Sequence, residues 1–154
     1  KPVENYSHVR VGYNCRLDEM QAAILRVKLR KLPLWTKQRR ALAALYNEEL
    51  AGLPLTLPLL GTTQTQSSFH LYIVRTPRRD ELAAHLRRRG IGSGVYYPVP
   101  VHLQPAYAGL KGPVKAFPVA ERASKEVLAL PLYPELSRAE AVRVAKAVRE
   151  FFDT

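Results

Sequence analysis

Twelve prolines stand among the 154 residues, and their placement limits where regular structure can run. Proline lacks an N–H and fixes φ, so helix interiors and central strands exclude it. Pro33 therefore ends one helix or opens the next. Pro54 and Pro58, with Gly61 and a Thr/Gln/Ser run, make residues 53–68 irregular and mark a domain boundary there, with one short strand around Leu55–Leu57. Pro98 and Pro100 halt any strand that begins near Gly94, and Pro131 and Pro134 bracket a short extended piece.

Between these stops the apolar residues are periodic. Met20, Ile24 and Val27, with Leu25, Leu29 and Leu32 beside them, predict a helix with a wide buried stripe, with Asp18 and Glu19 in its first turn and Arg30 and Lys31 in its last. Trp35, Leu42, Leu45 and Tyr46 predict a second helix that continues to Leu50 and stops at Gly52 and Pro54. Phe69–Arg75 (FHLYIVR) is aromatic and β-branched and reads as a central strand. Asp80–Arg89 reads as a helix closed by Gly90, Gly94–Tyr97 as a strand, and about Pro118–Leu128 as a helix. Ser137 with Glu140 forms a capping box ahead of a terminal helix faced by Ala141, Val144, Ala145, Val148, Phe151 and Phe152. Strands separated by helices and joined by long, proline-broken connections predict an α+β fold: a small sheet packed on one side by helices (residues 53–154), preceded by a helical segment (1–52).

The chain carries 24 Lys+Arg against 13 Asp+Glu, a formal charge of +11, and 47% hydrophobic residues, enough for a core of ordinary size. No apolar run reaches the length of a membrane span, and the first ten residues lack a signal-peptide pattern. One cysteine, Cys15, excludes an internal disulfide and any multi-cysteine metal site, and fits a reducing compartment, the cytoplasm. The basic excess admits nucleic acid, anionic lipid or phosphorylated small molecules. It equally fits solvated helix faces in an Arg-rich composition, since 16 of the cations are Arg, or a charge balanced by an acidic remainder elsewhere. The basic residues are not interleaved with aromatics as a single-strand platform would be.

Two segments exceed what packing requires. Gly12-Tyr13-Asn14-Cys15-Arg16 stands just before a helix, where an Arg and backbone N–H groups can bind an anion. Read as structure alone, it is a helix-entry turn with Asn14 satisfying the backbone. Residues 90–107 (GIGSGVYYPVPVHLQPAY) present Tyr96, Tyr97, His102, Gln104 and Tyr107 on a chain that prolines hold extended. Its glycines do not form a dinucleotide fingerprint, because a strand-like VYYP follows instead of a helix. His8, His70, His85 and His102 lack metal-ligand spacing. Cys15 reads as an inert small residue, with a Cys–His nucleophile left open; His70 reads as a satisfied strand histidine and His85 as solvent-facing. From the residues alone, the chain is an α+β domain that binds an anion or a small ligand.

The ordered stretches VGYNCRLDEMQAAIL, Trp35 with Arg39-Arg40 and Tyr46, FHLYIVR, GIGSGVYYPVPVHLQPAY and FPVAERASKEVLALPLYPEL resemble the C-terminal part of the DegT/DnrJ/EryC1/StrS sugar aminotransferases. The resemblance implies the small C-terminal domain of the aspartate aminotransferase-like fold. It also implies pyridoxal phosphate as cofactor, nucleotide-linked keto-sugars as substrates, glutamate with 2-oxoglutarate as donor pair, and a homodimer at full length. In that family the lysine that anchors the cofactor lies in a larger domain upstream, and none of the eight lysines here stands in its motif. The expectation is therefore of a portion of an aminotransferase that holds no catalytic residue and no metal and is inactive alone. By position in the motifs, Asn14 corresponds to the Asn that reaches across the dimer to the cofactor phosphate, and Arg16 to the Arg near the donor carboxylate or sugar phosphate. Tyr96 and Tyr97 occupy a dipeptide that is often His-Tyr in relatives and are expected to line the sugar-nucleotide pocket. His102 matches the His of the PxPxHxQ motif, beside the substrate. The alternative is a basic stand-alone binding module for nucleic acid or sugar nucleotides, without catalysis; a third reading is a non-catalytic relative acting in regulation or assembly.

Overall fold

The computed structural model describes residues 6–8, 10, 12–14, 16–62, 65–108 and 117–153. Helix α1 (Glu19–Leu29) starts at Asp18, whose carboxylate accepts from the Gln21 N–H at 2.7 Å. After a single turn the chain enters α2 (Leu32–Glu49), with Pro33 in the first turn, where a missing N–H costs nothing. Strand β1 (Tyr72–Arg75), α3 (Arg79–Arg88), α4 (Pro118–Glu126), β2 (Val127–Leu130) and α5 (Arg138–Phe152) follow. Gly90 takes φ +70° directly after α3, the left-handed closure its position foretells. Ser137 and Glu140 form the capping box at the head of α5.

The sheet is antiparallel, with Tyr72 opposite Leu130 and Arg75 opposite Val127. Single-residue bridges extend it on both edges. Thr56 exchanges backbone hydrogen bonds with Arg75 beside β1, and Gly94 does so with Ala129 beside β2. β1 is thus flanked on both sides, as a central strand should be. Its inward face carries Tyr72 and Val74, with Leu71 and Ile73 only half-buried. Phe69, at φ +47°, stands outside the strand and is buried against the same core.

That core joins three helices to the sheet. Leu42, Leu45, Tyr46 and Leu50 of α2 and its end meet Ala141, Val144, Val148 and Phe151 of α5, with Leu82 and Leu86 of α3 and Leu128 and Leu130 of β2 closing it. Arg149 of α5 donates through Nε to the Glu49 carbonyl, covering an orphan acceptor at the end of α2.

Several expectations change. The helix expected over Pro118–Leu128 stops at Glu126, and Val127 and Leu128 open β2, because pairing with β1 overrides a helical spacing that the sequence continues. The strand expected over Gly94–Tyr97 is reduced to the Gly94 bridge, since Pro98 and Pro100 prevent a ladder from continuing. The stripe on α1 is not buried: no α1 residue is, and Met20, Ile24 and Val27 are 79%, 61% and 65% exposed. Of the described elements, α1 makes substantial contact only with α2. His70 is exposed and precedes β1, so it is no strand histidine. His85 is half-buried instead of solvent-facing, its ring 5.5 Å from Phe151 and its Nε2 buried without a partner among the described residues. Cys15 and most of the link between Tyr107 and Phe117 lie outside the described residues.

Candidate functional site

Asp18, not Asn14, is the cap that accepts from the first turn of α1. Asn14 and Arg16 are both exposed, and neither makes a hydrogen bond or ion pair to another described residue. An exposed amide and an exposed guanidinium two residues apart suit an anion such as a phosphate or carboxylate.

The second segment is tethered at both ends. Gly94 is pinned to β2, and beyond it Tyr96, Tyr97 and Tyr6 form an edge-to-face cluster, with Tyr6 5.5 Å from Tyr97 and 6.3 Å from Tyr96. The neighbouring tyrosines serve different spaces. Tyr96 borders a cavity of about 490 Å³ under the 90–94 glycine loop, shared with Leu130, Tyr133 and Arg143. Tyr97 borders one of about 520 Å³ with Tyr6, His8, Arg10, Gln104 and Tyr107. Each space is large enough for part of a small ligand, with tyrosine rings for stacking and polar groups, Arg143 in the first and His8 and Arg10 in the second, to orient it.

His102 sits in a short 3-10 turn over Val101–Leu103 and is committed within the chain. Its Nε2 lies 3.1 Å from Glu121 Oε1, and its ring is 4.9 Å from Phe117. Glu121 also accepts the Phe117 N–H at 3.2 Å. The hydrogen bond from His102, followed by that from Phe117, holds the Glu121 carboxyl below the usual carboxylate range. His102 thereby ties the 101–107 turns to the start of α4. Gln104, grouped from sequence with the ligand-facing side chains, borders the Tyr97 cavity but is largely buried, its amide bonded to backbone. Tyr6 and Arg10 went unnoticed in the sequence, because the first ten residues carry no periodic signal.

The arrangement can bind an anion and flank a ring. The described lysines, Lys28, Lys31, Lys37, Lys125 and Lys146, are all exposed on helices or at their ends. Among the described residues no three His, Cys, Asp or Glu cluster as metal ligands, and no helix is long and apolar enough to cross a membrane.

Residues 1–149 match the family model for the DegT/DnrJ/EryC1/StrS aminotransferase family. The chain is 52% identical over 149 residues to a dTDP-3-amino-3,4,6-trideoxy-alpha-D-glucose transaminase of Streptomyces venezuelae, covering 96% of this chain and 39% of the relative. It is 46% identical to a pleiotropic regulatory protein of Geobacillus stearothermophilus, over 96% of this chain and 40% of the relative. In fold it superposes on the crystal structure of S. venezuelae DesV in complex with a ketimine intermediate, with a TM-score of 0.84 at 51% identity, covering 97% of this chain and 40% of that one. The chain thus spans about 40% of the length of these relatives.

Proposed function

The chain belongs to the DegT/DnrJ/EryC1/StrS aminotransferase family, and from that premise we propose that it forms the C-terminal portion of a pyridoxal-phosphate-dependent enzyme that aminates nucleotide-linked keto-sugars. The observation that carries this reading is the match, in sequence and in fold, of almost the whole chain to about 40% of a transaminase. Residues 1–52 lead out of a larger domain and 53–154 form the small one, with Leu42–Leu50 built into its core.

Asn14 holds the cofactor phosphate, which its exposed amide supports, and Arg16 pairs the donor carboxylate or a sugar phosphate. Tyr96 and Tyr97 line the sugar-nucleotide path, each bordering a cavity of its own. His102, through Glu121, fixes the loop that carries them next to substrate. Pyridoxal phosphate, when bound, supplies the electron-withdrawing ring on which amino transfer depends. The residues here fit holding its phosphate and not anchoring it covalently, because the described lysines are exposed on helices and at their ends. The lysine comes from the larger domain, and the isolated chain does not transfer amino groups. Glutamate is the donor, the complete enzyme is a cytoplasmic homodimer, and the +11 charge reflects Arg-rich composition and not nucleic-acid binding.

The regulatory relative from Geobacillus supports a second reading, in which the longer protein acts in regulation without catalysis. A hybrid separates the two: the matched stretch of the S. venezuelae transaminase is replaced by this chain. The hybrid binds pyridoxal phosphate, and Asn14→Ala raises the cofactor concentration for half-occupancy about tenfold, the scale of one charge-assisted hydrogen bond. Equal occupancy with and without the Asn14 amide refutes its assignment.

A further inference from the structure

Among the described glycines, Gly94 is the one whose missing side chain gives room to another side chain. Its φ is not positive, so its backbone suits any residue and the demand is for space. A Cβ added there meets the Tyr96 ring, with Cε2 at 2.6 Å, Cζ at 3.0 Å and the hydroxyl oxygen at 3.1 Å. At Gly90 and Gly92, in the same loop, an added Cβ meets nothing within 4 Å. The chain bends at Tyr96 and lays its ring back over residue 94.

The backbone of Gly94 is held at both its polar groups. Its N–H donates to the Ala129 carbonyl at 3.2 Å, and its carbonyl accepts the Ala129 N–H at 2.7 Å, which joins it to a buried residue of β2. The Tyr96 ring has weaker ties. It is 37% exposed and meets Tyr6 and Tyr97 edge to face, with centroids 6.3 and 5.9 Å away. A side chain at 94 therefore displaces the ring and leaves the backbone in place. Both residues line the 490 Å³ cavity, so displacing the ring redraws that wall. We infer that Gly94 is a positioning residue: the space it leaves open seats the Tyr96 ring, and that seat sets the shape of the cavity Tyr96 offers to a sugar nucleotide. The seat rests on geometry alone, and its consequence for substrate rests on the proposed role of Tyr96.

The test is a double-mutant cycle in the hybrid, read as KM for a dTDP-linked 3-keto-sugar beside KM for glutamate. Gly94→Ala is expected to raise the keto-sugar KM about fivefold, the scale of one aromatic contact, and to leave the glutamate KM unchanged. Once Tyr96→Ala is present, Gly94→Ala adds nothing, because no ring remains to be displaced. An unchanged keto-sugar KM, an equal rise in both KM values, or effects that simply multiply overturns the inference. If Gly94→Ala fails to fold, the Gly94→Ala/Tyr96→Ala variant decides. Folding restored there upholds the ring as the occupant of the space, and folding still lost makes the backbone the obstacle and overturns the inference.

If the hybrid turns nothing over, the proposed function fails, and the seat is decided in the chain itself by NMR. The parent chain is expected to show contacts between the Tyr96 ring and the Gly94 α protons. In Gly94→Ala the Tyr96–Tyr6 ring contact is expected to disappear while the Ala129 amide still exchanges slowly. No Tyr96–Gly94 contact in the parent, an unmoved ring in the variant, or loss of the slow exchange overturns the seat.

Discussion

Tyr46 and Tyr72 show how single groups set limits on the core. Their rings lie 4.8 Å apart, Tyr46 donates to the Pro131 carbonyl at 2.9 Å, and Tyr72 to Asn47 Oδ1 at 2.7 Å. Tyr46→Phe is expected to cost about 1 kcal/mol, mostly by leaving the Pro131 acceptor unsatisfied, as measured by denaturant unfolding. Burial pushes both phenols above their ordinary value, and the proximity of Tyr72 and Tyr133 pushes Tyr46 further. A group whose folded pKa is raised contributes its stability fully below the unfolded value and loses it as pH rises. Stability is therefore expected to fall above about pH 10, and less steeply in the Tyr46→Phe/Tyr72→Phe variant. A pH-stability profile over the alkaline range checks the sign. Gly90 makes a second test. Nothing lies within 4 Å of a Cβ added there, so Gly90→Ala costs only the strain of φ +70°, about 1 kcal/mol. Gly92, equally open and without a positive φ, tolerates Ala to within about 0.5 kcal/mol in the same unfolding measurement. At this scale the sequence spoke unevenly. Gly90 and the Ser137–Glu140 pair act locally and were readable, whereas the bonds of Gln104 span 96 and 98 residues and leave no local trace.

Among the elements, helices with self-contained signals were legible: α2 with Pro33 at its start, α3 with Gly90 at its end, and α5 with its capping box. β2 was not, because VLAL extends the helical spacing of α4 and becomes a strand only by pairing with β1. α1 was readable as a helix but not in its environment. Periodicity reports which face is apolar and says nothing of what covers it. The exposed Met20, Ile24 and Val27 are expected to make the isolated chain self-associate. Sedimentation should show Met20→Gln/Ile24→Lys/Val27→Gln shifted toward monomer with the unfolding midpoint unchanged, since none of the three contributes to the core. A lower midpoint would place α1 in the core's cooperative unit.

For the whole molecule, the residues alone led to an anion- or ligand-binding α+β domain and no further. Asn14, Arg16, Tyr96, Tyr97 and His102 became candidates through motif resemblance, and the structure adds their surroundings: two exposed polar side chains, two cavities and one internally paired histidine. The central claim is that this chain completes an aminotransferase whose covalent anchor lies elsewhere. Its most direct test is the rate of amino transfer from glutamate to a dTDP-linked 3-keto-sugar, measured for the hybrid beside the isolated chain. The account predicts turnover by the hybrid, none by the isolated chain, and loss of hybrid turnover when the cofactor-anchoring lysine of the S. venezuelae portion is replaced. A folded, cofactor-loaded hybrid that transfers nothing, or an isolated chain that does transfer, contradicts it.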